Sequence, residues 1–347
     1  MANSNPGPNR NQNLTPQQRK IAAQRAARRR KKRQRRIAIL AAGALAVILI
    51  IVGLCIFAFR HFYLIPKQKA EQESISISLS IQKQAELSAD REKIQNMQVS
   101  GDITQETLDE LKTSALAGFS TAPDGALEWN DNEQSGQAKY FLDHLDQYSE
   151  GILAFYLNNP ERYEFVKAYP DRASYQNPPA QLTGDLKEVP ELYQWSLDWG
   201  YLPYGDSTMY YAGCAPTSLS MVLSYLRQDP TLTPAAIKDF SENSGYYVSG
   251  AGTSHELLDV VGPVYGVNVE RISVDQETIS QALKEGKKLI FNMVPGKFTQ
   301  VGHFMVAADE VDGKLEIHDP NNISRTKQLW SYEDVLPETA IVWAYSK

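Results

Sequence analysis

"YYAGCAPTSLSMVLSYL", Tyr210 to Leu226, puts one of the chain's two cysteines where a small-residue turn becomes a helix. After its first turn the segment is apolar nearly all round, which marks a helix buried at the centre of a domain. Pro216 suits a first helical turn, where no amide proton is needed, so Cys214 falls at or just before the helix start. The free amides and dipole of that end favour a thiolate, the reactive form of cysteine. Free cysteine is also among the most buried residue types, and as a small apolar residue Cys214 would need no chemistry at all.

Three later runs, "KKLIFNMV", "HFMVAADEV" and "KLEIHDP", read as strands, the last two joined by Asp312-Gly313, a strong hairpin signal. A central helix followed by a sheet makes the fold class α+β. A thiolate nucleophile needs a base, and the base needs an orienting group. Of five histidines, His61 lies at the end of a long apolar run and His144 in an upstream helical segment. His303 follows a glycine at a strand start, where a ring has room at a cleft edge. Asp319 ends the next strand in a "DPN" turn that would hold its carboxylate at the sheet end. His318 is the other candidate base, although period 2 points its ring to the opposite face from Asp319. His255, in "AGTSHELLDVV", falls in a first helical turn and reads as structural. A cysteine at a helix start, then a histidine and an Asp on adjacent strands, is the chain order of papain-like enzymes.

Parity sharpens the expectation for the hairpin. With a two-residue turn at Asp312-Gly313 and regular pairing, His303 and Asp319 would point to opposite faces. A three-residue loop, Val311-Asp312-Gly313, with Gly313 left-handed and a bulge beside it, puts both on one face, and that loop is the one expected.

The N-terminal third decides the compartment. "IAILAAGALAVILIIVGLCIFAF", Ile37 to Phe59, is uncharged and exceeds the roughly 20 residues that cross a bilayer, so it reads as one transmembrane helix and not as a signal peptide. Cys55 lies inside it, which leaves Cys214 as an unpaired thiol. Residues 1–36 hold twelve Lys/Arg and no Asp or Glu. By the positive-inside bias this tail is cytoplasmic and the large C-terminal part extracellular. The formal net charge of −6 therefore leaves about −18 on residues 37–347, a poor surface for nucleic acid. The stretch "QKAEQESISISLSIQKQAELSADREKIQNMQ" is too sparse in apolar residues for a core and reads as a helical stalk, although "SISISLSI" alternates like a strand. "AKYFLDHLDQYSEGILAFYLNNPERYEFVKAYPDR" gives short amphipathic helices broken at "NNP" and "YPD". The expected organisation is a disordered basic tail (1–36), a transmembrane helix (37–59), a mostly helical stalk or linker (60–135), a helical accessory segment (136–178) and a catalytic domain (179–347).

"QWSLDWGYLPYG", "YYAGCAPTSLSMVLSYL" and "GHFMVAADEVDGKLEIHDPNN" together resemble the C39-type cysteine peptidases of the papain-like clan, over about residues 150–347, in the subgroup of stand-alone extracellular or membrane-anchored bacterial proteins. The resemblance implies a papain-like fold at the surface of a bacterium of Gram-positive type, with Cys214 attacking an amide, His303 shuttling protons and Asp319 orienting the ring. It places Gln194 at the oxyanion hole, beside the Cys214 amide. Ser196, Leu197 and Asp198 depart from the "QWDPRWG" pattern that this segment resembles, and Gln194 stands farther from Cys214 than the papain-like glutamine does. No metal or other cofactor is required. The substrate would be a peptide, a protein or peptidoglycan; a non-catalytic surface binding protein of the same fold is the remaining class, and the stalk offers a route to self-association.

Overall fold

The computed structural model describes residues 15–99 and 101–347, and the chain divides into two compact units, one ending at Glu86 and one beginning at Leu87. The first unit is helical. Helix α1 (Pro16–Phe59) starts with a capping box: Thr15 Oγ1 accepts from the Gln18 amide and Gln18 Oε1 from the Thr15 amide at 3.1 Å, with Pro16 in the first turn. From Pro16 onward the basic tail is therefore helix and not disordered, because Ala, Arg, Lys and Gln, which fill it, are strong helix formers and the start signal is present. Its first fourteen residues lie outside the described residues. A π-helical turn (Arg60–Leu64) leads into α2 (Ile65–Asn96). The run Pro16–Asn96 contains an 18-residue window of mean hydropathy 3.1, none of it buried, and is long and apolar enough to cross a membrane. "SISISLSI" is helical despite its alternation, since a strand without a neighbour would leave its backbone polar groups unpaired and a helix pairs its own.

The second unit takes in the end of α2 and continues with α3 (Gln105–Leu116), a hairpin of β1 (Phe119–Thr121) and β2 (Leu127–Trp129), then α4 (Glu133–Asp143), α5 (Glu150–Asn158), a 3₁₀ turn (Pro160–Arg162) and α6 (Tyr163–Lys167). Ile94, Ile103, Leu108, Leu111 and Ala115 are buried together with Phe141, Leu153, Tyr156 and Phe165. Residues 87–135 thus belong to the folded unit, where the sequence reading placed a spacer through 135. The apolar positions of α3 are few but lie on one stripe, and every one is used. This core also contains Trp195 and Tyr201 from the following segment, so the helical extension and the domain after it share one interior.

Next come β3 (Pro203–Tyr204), β4 (Ser207–Thr208), α7 (Met209–Ala212), α8 (Cys214–Arg227), α9 (Pro234–Asn243), β5 (Tyr247–Val248), β6 (Gly252–Thr253) and α10 (His255–Val264). The main sheet follows, built from β7 (Asn268–Ile272), β8 (Lys288–Met293), β9 (His303–Val311), β10 (Lys314–His318), β11 (Leu329–Trp330) and β12 (Thr339–Ser346), with α11 (Gln276–Lys284) after β7, and α12 (Ile323–Thr326) and α13 (Tyr332–Val335) flanking β11. Its six strands run in the order β11-β10-β9-β8-β12-β7, and every neighbouring pair is antiparallel. One face, with Ile290, Phe304, Val306 and Trp343, packs on α8 and α10; the other, with Phe291, Met293, Met305 and Ile317, packs on α11 and α13. Every residue of β8 is buried, as a strand covered on both faces requires. Helix α8 is buried on nearly all sides, as its composition predicts, with Ser218 Oγ donating to the Phe304 carbonyl at 3.3 Å.

The β9–β10 hairpin corrects one expectation. Val311 pairs with Lys314, so the turn has two residues, and Asp312 (φ 53°) and Gly313 (φ 75°) both take left-handed values. The extra residue that parity demands lies within β9: Glu316 pairs with Asp309 but Ile317 with Ala307, which leaves Ala308 as an unpaired bulge. Beyond it His318 faces Val306, and continuing that register sets Asp319 opposite Met305, on the face of His303 and diagonal to it.

Candidate active site

Cys214 is the first residue of α8 and only half-buried. The chain arrives through α7 and turns at Gly213, where the amide donates to the Met209 carbonyl at 2.8 Å. A Cβ on Gly213 would lie 2.4 Å from that same oxygen, so only glycine fits this approach. As a first-turn residue Cys214 presents a backbone amide that has no partner within the helix.

His303, at the start of β9, meets both other candidates. Its Nε2 lies 2.7 Å from Asp319 Oδ1, and Cys214 stands near enough to the ring to help raise its pKa. With Nε2 engaged by the carboxylate, Nδ1 is the nitrogen left for sulfur. Burial pulls the His303 pKa down, but the charge and hydrogen bond of Asp319, with Cys214 adding to them, push it up to about 10. Asp319 has no exposed surface. Burial raises its pKa, and the His303 charge and hydrogen bond, the Arg325 charge and the Asn321 amide outweigh that and hold it below the usual carboxylate range. The carboxylate is thus ionised and surrounded by donors: His303 Nε2 and the Asn321 amide (2.8 Å) on Oδ1, and Arg325 Nη1 (3.1 Å) on Oδ2. Its own amide donates to Thr326 Oγ1 at 2.9 Å.

Gln194 is buried between the two halves of this arrangement. Its amide donates to the Pro320 carbonyl at 2.7 Å, and its Nε2 donates to the carbonyl of Tyr210 at 2.8 Å and makes a longer contact with that of Tyr211 at 3.4 Å. It therefore holds the Asp319 turn against the segment that delivers Cys214. The remaining histidines take other places. His318 is buried with Nε2 3.6 Å from Glu316 Oε1, His255 sets its ring edge-on to Phe304 and Trp343, and His144 Nδ1 pairs with the Tyr140 carbonyl at 2.8 Å.

Sequence reasoning missed Arg325 and Arg162. Arg325 neutralises Asp319 directly. Arg162, in the 3₁₀ turn of the helical extension, reaches the Asp319 turn from outside the domain through Asn321. Burial lowers its guanidinium to about 10 against the opposing charge of Asp319. Neither stands in a motif, and among 35 lysines and arginines neither carries a local signal.

An imidazole hydrogen-bonded to an ionised carboxylate, with a thiol beside it, is an arrangement that can generate a nucleophile and relay its proton. No curated protein matches the chain. Residues 186–347, which include all four candidate residues, match the model of the Peptidase_C39 like family. That match supports assigning the C-terminal domain of the chain to the C39-like cysteine peptidases.

Proposed function

We propose that the protein is a membrane-anchored cysteine peptidase of papain-like architecture whose extracellular domain hydrolyses amide bonds with Cys214, His303 and Asp319. The observation that carries this reading is the His303–Asp319 hydrogen bond of 2.7 Å, made by a ring whose pKa Cys214 helps to raise. The family match supports the reaction class, and the twelve basic residues before the apolar run support the orientation.

In this mechanism the Cys214 thiolate attacks the carbonyl carbon, an S–C bond forms, and the carbonyl oxygen becomes an oxyanion that the Cys214 amide stabilises. Such a donor is worth roughly 3–4 kcal/mol. Gln194 Nε2 would add a second donor by giving up its long contact with Tyr211. His303 donates its Nδ1 proton to the leaving nitrogen as the C–N bond breaks and an acyl-thioester remains. It then takes a proton from water, which adds to the thioester and releases the carboxylic acid and the thiolate. Asp319, accepting from Nε2–H, keeps Nδ1 turned to sulfur throughout.

A thiol-reactive probe tests the reading. It should label Cys214 in the wild type and lose that labelling in Cys214→Ala and most of its rate in His303→Ala. Equal labelling of wild type and His303→Ala would make the domain a binding module. Digestion of peptide libraries against purified cell wall then assigns the polymer.

A further inference from the structure

The turn that carries Asp319 is held from a part of the chain about 160 residues away. Arg162 is buried, its guanidinium 3.8 Å over the Phe155 ring, and its Nη1 donates to the Phe155 carbonyl at 2.9 Å. Its Nη2 donates to Asn321 twice, to the backbone oxygen at 3.3 Å and to Oδ1 at 2.9 Å. Trp195 Nε1 donates to the same backbone oxygen at 3.3 Å. The neighbouring Glu161 accepts from the Ile323 amide at 3.1 Å and from the Ser324 hydroxyl. Asn321 in turn gives its amide to Asp319 Oδ1, the oxygen that receives His303 Nε2. A continuous series of hydrogen bonds thus runs from Arg162 through Asn321 and Asp319 to His303, the ring beside Cys214.

We propose that Glu161 and Arg162 of the helical extension are positioning residues that hold the Asp319–Ser324 turn at the place where its carboxylate meets His303. The inference rests on the proposed Cys214–His303–Asp319 site. It gives the extension a part in the chemistry: the extension completes the support of a residue that the domain's own side chains hold on one side, Arg325 at the carboxylate and Thr326 at the backbone. A planar, forked guanidinium suits the Phe155 carbonyl on Nη1 and the Asn321 oxygens on Nη2 at once, a span that an ammonium does not reproduce. Displacing the turn by a fraction of an ångström would lengthen the His303 bond and weaken the imidazolium that sustains the thiolate.

The test uses the full chain in detergent with Cys55→Ser, so that Cys214 is the single thiol, and measures iodoacetamide alkylation rates from about pH 5 to pH 10. Arg162→Met keeps the stem over Phe155 and should slow alkylation at neutral pH on the order of tenfold, less than the roughly hundredfold that a 1 Å misplacement costs. Its pH profile should move toward that of His303→Ala. Arg162→Lys should recover part of the rate, and Arg172→Met, which removes an exposed guanidinium from the same extension, should leave rate and profile unchanged. If Arg162→Met retains a wild-type melting temperature and alkylates like the wild type while His303→Ala does not, the positioning role is wrong and the site stands. If His303→Ala also behaves as wild type, the site itself is wrong. Should Arg162→Met not fold, Asn321→Ala and Glu161→Gln carry the same comparison, and wild-type profiles in both would overturn the proposal.

Discussion

A carboxylate sealed from water keeps its charge only where donors replace the water, and Asp319 has three, from His303, Asn321 and Arg325. The consequence for catalysis is an order of effects. Cys214→Ala and His303→Ala should each cost on the order of 10⁶-fold in turnover of any amide substrate, and Asp319→Asn on the order of 10⁴-fold, since Asn can still orient the ring. A folded His318→Ala that lost activity while His303→Ala kept it would reverse the assignment of the base. A second consequence concerns pH. The His303 pKa is raised from 6.5 to about 10, so its contribution to stability is full below 6.5 and is lost as pH rises toward about 10. Asp319, held low, contributes above its ordinary 3.8 and loses that contribution on acidification. The melting temperature of the wild type should therefore fall between pH 6.5 and 10 relative to that of His303→Gln; parallel curves would show that the pair is not linked to folding. These residues were legible because two cysteines and five histidines leave few combinations. Arg162 and Arg325 were not, because nothing local separates a buried arginine from the solvated majority of its kind.

At the scale of elements, the alternating and apolar runs located β8, β9 and β10, and the apolar surround of "APTSLSMVLSYL" located the buried helix. Parity required one unpaired residue between His303 and Asp319 but could not say where, because "MVAAD" holds no glycine or proline to mark a bulge. The turn absorbed none of it: Asp312 accepted a left-handed φ, and the irregularity moved to Ala308. Gly313→Ala should accordingly cost about 1 kcal/mol or more of stability, since φ 75° is strained for alanine, while leaving the His303-dependent alkylation of Cys214 as it is. Urea unfolding measures the first and probe labelling the second; an unchanged midpoint would mean that the turn relaxes to another type.

Across the whole molecule, the boundary that composition drew at 179 divides an interior. Trp195 and Tyr201 pack with Phe141, Leu153 and Phe165, and Tyr210, four residues before Cys214, meets Phe155 edge-on and Phe165 at a tilt. Each large aromatic buries about 150–250 Å², so stripping the extension from three of them would remove on the order of 10 kcal/mol, comparable with an entire folding free energy. Residues 87–347 should therefore melt cooperatively, and residues 179–347 should not; a monomeric, cooperatively melting 179–347 fragment with normal labelling would show the shared core to be dispensable. Sequence alone hid this because an amphipathic stripe shows that a face is covered without naming its partner. The proposed orientation has its own test: protease added to intact cells should remove the region beyond residue 60 and spare the basic helix, and protection of the C-terminal domain until lysis would reverse the topology.

The bulge at Ala308 also bears on descent. His303 and Asp319 are 16 residues apart, an even spacing, and an even spacing joined by a two-residue turn requires one residue out of pairing. An odd spacing would require none. Length changes in this hairpin are therefore filtered by parity: two residues gained or lost leave both side chains on their common face, whereas a single insertion or deletion survives only by creating or erasing an unpaired residue. Counting residues between the two positions in any descendant of this chain should foretell whether its hairpin is bulged or regular.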